Sequence, residues 1–251
     1  MFRVKRLQRE EIREQFAKEG VILLPSFLQE KEVRSLRQVA EELLRRSEPP
    51  LESEAAFLGE ARQPYLGTIR RLRQIYGRNP RIDAWMRSEA IRPLLREILG
   101  SDPVLVTAHH NSLMTKMPHS STETRWHRDR RYWSYKDDRL LSVWLALGEE
   151  RVENGVLEFI PGSHRQEFPP EAFDEGPYFR EDYPPNRPWI EKKIRFDLEP
   201  GDVVLFHCGV LHRAGPNRTE TPKLSLVHTY RAADNLPLSG SRSAEYPEIP
   251  L

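Results

Sequence analysis

The chain has 251 residues, 38% of them hydrophobic and 31% charged, enough apolar content for one core beneath a well-solvated surface. Lys and Arg number 39 against 38 Asp and Glu, so no net charge draws the protein toward nucleic acid or a membrane surface. The single cysteine, Cys208, excludes an intrachain disulfide and a cysteine-rich zinc site, and it fits a reducing compartment.

The start, Met1-Phe2-Arg3-Val4-Lys5-Arg6, lacks the apolar run of a signal peptide, and no stretch reaches the length needed to span a bilayer. A cytoplasmic protein is expected. Residues 8–19 read as a helix, with Ile12 and Phe16 four apart and Gly20 as its stop. Gly20 to Pro25 contains a short buried strand, Val-Ile-Leu-Leu. Residues 29–46 read as a second helix, in which Val33, Leu36, Val39, Ala40, Leu43 and Leu44 keep a period of 3.6. Pro49-Pro50 ends it, and residues 49–68 read as irregular chain suited to a pocket rim. Residues 81–99 hold one or two helices with Ile91, Leu94, Leu95 and Ile98 as the apolar face, closed by Gly100.

After Asp102-Pro103 the character changes. Strands are expected over 104–114, 140–147, 156–160, 190–198, 203–206 and 223–230, separated by turn signals such as Asn154-Gly155, Pro161-Gly162 and Pro200-Gly201-Asp202. Residues 165–189 form a long segment rich in Pro and aromatics, and such loops often serve as lids. From Asn235 onward the chain reads as coil. Helices first and strands afterwards predict a mainly β barrel or sandwich with flanking α-helices packed on one side. The whole of 1–251 is expected to be one domain, with helical support mainly in 1–100, a β core over about 103–232 and a C-terminal coil over 233–251.

The segment Trp126-His127-Arg128-Asp129 carries the chemistry. Residues two apart on extended chain point to the same side, so His127 and Asp129 offer an imidazole nitrogen and a carboxylate oxygen to one point. The best candidate for a third ligand is His212. Two histidines and a carboxylate on one face of a metal leave positions open, the arrangement of non-haem Fe(II) oxygenases.

The chain resembles the phytanoyl-CoA dioxygenase family of Fe(II)/2-oxoglutarate oxygenases. The likeness rests on His127-Arg128-Asp129, on Glu153-Asn154-Gly155-Val156-Leu157 running into Ile160-Pro161-Gly162-Ser163-His164, on Pro200-Gly201-Asp202-Val203-Val204-Leu205-Phe206-His207, and on Leu211-His212-Arg213-Ala214-Gly215-Pro216-Asn217. Order and spacing hold over roughly residues 10–232. The resemblance implies a double-stranded β-helix (jelly roll, cupin-like). It makes His127, Asp129 and His212 the iron ligands, with 2-oxoglutarate and dioxygen (O2) as co-substrates. The expected reaction hydroxylates a small organic molecule and releases succinate and CO2. The family usually places an arginine eleven residues after the distal histidine, where it pairs with the far carboxylate of 2-oxoglutarate. Lys223 stands there, and lysine keeps the charge but loses the bidentate fork. Ser225 or Thr115 would assist it, with Arg128 and Arg231 as reserves, and Trp144 falls where the family has an aromatic residue. The retained carboxylate of Asp129 favours hydroxylation over halogenation, with desaturation and ring formation still open. His109, His110, His164, His207 and His228 are expected to be structural or to orient the ligands.

Four arginines and three aromatics lie between Arg125 and Trp133. They read either as a wall for an anionic or sugar-like substrate or as a solvated face paired with Asp137 and Asp138. Two other readings remain: a cupin-like binding protein without turnover, and another metal enzyme on the same scaffold.

Overall fold

The structure, a computed structural model, describes residues 9–58 and 68–251. Residue 8 of the first expected helix, and residues 59–67 of the expected rim, lie outside the described residues.

Helix α1 (Arg9–Glu19) buries Phe16 and stops at Gly20. There φ is +74°, and a Cβ would lie 2.4 Å from Nδ1 of His164, so both conformation and contact require glycine. Strand β1 (Val21–Leu24) follows. Helix α2 (Glu30–Arg46) opens with the Glu32 carboxylate accepting from the Gln29 amide at 3.2 Å and buries all six residues of its apolar stripe. Next come β2 (Leu51–Ser53), α3 (Glu54–Phe57), β3 (Ile69–Arg73), α4 (Pro80–Met86) and α5 (Arg92–Leu99). The β region holds β4 (Pro103–Lys116), β5 (Thr124–His127), β6 (Leu140–Ala146), β7 (Leu157–Ile160), α6 (Arg187–Ile190), β8 (Ile194–Arg195), β9 (Val203–His207), β10 (Leu211–Ala214), β11 (Lys223–Ala232) and β12 (Ile249–Pro250).

These strands form two antiparallel sheets among the described residues, the larger in the order β1-β9-β6-β11-β4-β3-β2 with β12 also on β4, the smaller β5-β10-β7-β8. The strand period of two sorts the larger sheet into two faces. Val143, Leu145, Val203, Leu205, Leu224 and Leu226 pack beneath the helices with Phe16, Leu36 and Leu95. Trp144, Ala146, Val204, Phe206 and Val227 face the other way and meet Leu157, Phe159 and Ala214 of the smaller sheet. The result is a jelly-roll (double-stranded β-helix) core with helices on one side.

Four segments differ from the sequence reading. Only Ile194–Arg195 of the expected strand 190–198 is strand. The run Glu191-Lys192-Lys193 leaves α6 exposed at the margin of the smaller sheet, where little apolar surface holds more chain in register. The stretch read as irregular contains β2 and α3, while β3 escaped notice because Arg70, Arg71 and Arg73 mask its alternation. The C-terminal segment is not all coil, since β12 pairs with β4 through Ile249 and Leu105. Finally, 165–189 is not a lid over the pocket. Phe168, Phe173, Phe179, Tyr183 and Trp189 pack with Trp126, Ile160 and Leu211 on the outer face of the smaller sheet.

No helix among the described residues is long and apolar enough to cross a membrane.

Candidate metal centre and its pocket

The ligand cluster is built by register. On the smaller sheet His212 of β10 lies directly opposite His127 of β5, so their rings meet with centroids 4.2 Å apart. Strand β5 ends at His127, and Asp129 opens a tight helical turn rather than continuing the extended chain. Its side chain still returns to the histidines: Asp129 Oδ1 lies 3.8 Å from His127 Nε2 and 3.9 Å from His212 Nε2. One ligand atom from each residue falls within 4.8 Å of the others, the only such group of three found among the described residues.

Backbone carbonyls set the tautomers. His127 Nδ1 donates to the carbonyl of Arg125 at 2.8 Å, and His212 Nδ1 to that of Val210 at 3.1 Å. Each Nε2 is therefore left as a lone-pair donor facing the cluster. Burial pushes the His127 imidazole down to about 3, aided by the neighbouring His212, and burial lowers His212 as well. Burial opposes the charge of Asp129, but His110 and His212 beside it and the hydrogen bond from His110 hold its carboxyl well below the usual range. Asp129 Oδ2 is buried and has no hydrogen-bond partner, an orphan that a cation would satisfy. Two neutral imidazoles and one ionised carboxylate, with no thiolate, fit Fe(II).

Of the histidines expected to be structural or to orient the ligands, His110 contacts a ligand directly. Its Nε2 donates to Asp129 Oδ1 at 3.1 Å. Strand β4 brings it there through a bulge: Val106 pairs with Thr229 and Asn111 with His228, so Thr107 to His110 have no partner on β11. Trp133 stacks on His109 at 5.2 Å and meets His110 edge-on at 5.5 Å, which fixes the bulge.

The cluster sits in a cavity of about 330 Å³ between the sheets. Lys223, Ser225, Thr115 and Trp144, the residues assigned to the co-substrate from the sequence, all line it. Their partners were not foreseen. Glu150, fully buried, accepts from Lys223 Nζ at 3.0 Å, from Ser225 Oγ at 2.6 Å and from Trp144 Nε1 at 2.9 Å. The Thr115 hydroxyl donates to the carbonyl of Ile69.

Two reserves do not reach the pocket. Arg128 turns the other way, donating to the carbonyls of Ser163 and Gln166 and lying over Phe168, because the main chain leaves β5 at this point. Arg231 is tied to Glu248 at 2.6 Å. Of the two readings of Arg125 to Trp133, the arginines follow the solvated face and none of them lines the cavity. Arg125 pairs with Asp174 and Arg130 with Asp138, while Arg131 lies over Phe173. A different set of cations lines the cavity: Arg70, Arg71, Arg73, Arg213, Arg242 and Lys116 join Lys223, against the carboxylates of Glu52 and Asp129.

Comparison with known proteins places this geometry. The chain is 32% identical over 165 residues to a protein of Stutzerimonas stutzeri named "Probable alpha-ketoglutarate-dependent hypophosphite dioxygenase", covering 63% of this chain and 56% of that one. It is 26% identical over 241 residues to an ectoine dioxygenase of Stutzerimonas stutzeri strain A1501, covering 90% of this chain and 77% of the relative. The chain thus spans little more than half the length of the first of these relatives. Among solved structures, EctD from S. alaskensis with bound Fe superposes with a TM-score of 0.78 at 22% identity, covering 96% of this chain and 85% of that one. The epimerase SnoN, in complex with Fe3+, alpha ketoglutarate and nogalamycin RO, superposes at 0.76 with 22% identity, covering 97% and 95%. At these identities the two structures speak for the shared fold. The family model for phytanoyl-CoA dioxygenase (PhyH) matches residues 16–225, and on that match the chain belongs to the phytanoyl-CoA dioxygenase family.

Proposed function

We propose that the protein is an Fe(II)- and 2-oxoglutarate-dependent dioxygenase that hydroxylates a small anionic molecule. The observation that carries this is the convergence of His127, Asp129 and His212, with their lone pairs free, in a cavity lined by cations. These three residues would hold the iron. When bound there, the metal would supply activation of dioxygen coupled to oxidative decarboxylation of 2-oxoglutarate to succinate and CO2. The chain's own contribution is to present neutral imidazoles, to keep Asp129 ionised and oriented through His110, and to enclose the site between apolar walls such as Leu157 and Phe206.

An anionic substrate is supported by Arg73 and Arg242, which line the cavity and make no ion pair among the described residues. The cavity volume lies at the small end of the range for ligand sites, which favours a small molecule over a polymer or lipid. Residues 1–251 form one oxygenase domain in this reading, supported by the packing of α1 on α5 and the pairing of β12 within the same sheet as the core strands. A cytoplasmic location belongs to this reading, since a chain with one cysteine fits a reducing compartment.

The test is anaerobic addition of Fe(II) and 2-oxoglutarate. The visible charge-transfer band of the chelate is expected, with its loss in His212→Ala, and succinate should form only when oxygen is admitted. Well-folded, iron-loaded protein without the band refutes the proposal. A binding protein without turnover is the second reading, favoured by Glu150 already holding Lys223. It predicts the band but no succinate.

A further inference from the structure

The cavity is lined by two lysines, not one. Lys116, the last residue of β4, is the register partner of Lys223, the first residue of β11, so the two side chains leave the sheet on the same face. Both are buried and both line the cavity. Their partners differ sharply. Lys223 is neutralised by Glu150 at 3.0 Å, and the same carboxylate takes the Ser225 hydroxyl and the Trp144 indole N–H. Three groups suited to gripping a carboxylate already grip one, and it belongs to the protein. Lys116 makes no ion pair among the described residues. Its Nζ donates to the main-chain carbonyl of Thr122, and the nearby Arg70 spends its charge on Glu54 at 3.0 Å.

We propose that Lys116 is the residue that receives the distal carboxylate of the 2-oxo acid co-substrate, and that Glu150 acts as a positioning residue that holds Lys223 aside as a neutral strut. This rests on the oxygenase reading above. A buried ammonium whose hydrogen bond goes to a carbonyl and which has no ion-pair partner among the described residues is unfavourable unless an anion joins it. Consistent with that, burial, Arg70 and Lys223 together push Lys116 down to about 7. An arriving carboxylate would complete the ammonium's coordination and restore its charge. The cost of leaving Lys116 unpaired in the resting protein is thereby recovered on binding.

The experiment uses the full chain, loaded anaerobically with Fe(II), and two ligands of equal length: 2-oxoglutarate and 2-oxopentanoate, which ends in a methyl group. Calorimetry and tryptophan quenching give the affinities without turnover. Lys116→Met is expected to weaken 2-oxoglutarate by about 10- to 100-fold, the range for a charged hydrogen bond, and to leave 2-oxopentanoate unchanged. Its melting temperature in the ligand-free state should rise, because a buried unpaired charge has gone. Glu150→Gln releases Lys223, so it should tighten 2-oxoglutarate and restore part of the affinity lost in Lys116→Met. Equal binding of 2-oxoglutarate by wild type and Lys116→Met, or equal losses for the two ligands, overturns the assignment while leaving the oxygenase reading intact. Failure of the iron-loaded wild type to bind 2-oxoglutarate overturns both.

Discussion

At the scale of single residues, His228 is the most exposed to test. It is fully buried on β11, its ring is 6.4 Å from that of Trp85, and neither ring nitrogen has a hydrogen-bond partner. Burial pushes it down to about 3. In the unfolded chain a histidine titrates near 6.5, so the unfolded state binds the extra proton between these values. The stability is therefore complete above about pH 6.5 and is lost progressively as the pH falls toward 3. His228→Leu, similar in volume and without polar atoms, should raise stability by about 1–2 kcal/mol at neutral pH and more at pH 5. Urea denaturation at the two pH values measures this. The opposite expectation holds for His110, whose role is its hydrogen bond to Asp129. His110→Phe keeps a ring and removes the donor, and Fe(II) affinity should fall by about 10- to 100-fold, read by calorimetric titration.

At the scale of elements, legibility followed local periodicity. The helices 9–19 and 30–46 and the buried strands stood out because their apolar spacing is uninterrupted, and His127, Asp129 and His212 because they stand in motifs that match the family in order and spacing. What stayed hidden depends on pairing partners far away in sequence. The expected strand ended at Met114, two residues short of Lys116, and only pairing with β11 shows that the strand continues. The bulge carrying His109 and His110 has no local signature, since an unpaired stretch is defined by the strand it fails to match. Glu150 gave no sign of its role, because a carboxylate in Gly148-Glu149-Glu150-Arg151 reads as surface charge until a buried lysine is brought to it from residue 223. The segment 165–189 misled for the opposite reason. Its aromatics look like a lid, yet they cover the outer face of β5, β10 and β7, and only Tyr178 of this segment lines the cavity. Phe179→Ala should accordingly cost about 3–5 kcal/mol of stability, measured by denaturant unfolding, with metal affinity in the folded protein unchanged.

At the scale of the whole molecule, a formal charge of +1 conceals a polarised interior. Seven cationic side chains and two carboxylates line one cavity. A cleft with a large excess of one sign between low-dielectric walls attracts anions at long range and loses that pull to salt. The association rate of 2-oxoglutarate should fall several-fold between roughly 0.05 and 0.5 M KCl, and that of a neutral 2-oxo ester should not. Stopped-flow tryptophan quenching separates the two. The same scale governs how the molecule is made. Among the described residues strand β1 pairs solely with β9, Val21 against Phe206, so its apolar residues have no sheet to join until β9 has left the ribosome. At ordinary rates of synthesis that wait lasts on the order of 10–40 s. During it, Val21 to Leu24 is a sticky nascent strand, and the protein's yield in cell-free translation should depend on added chaperone far more than its stability once folded would suggest.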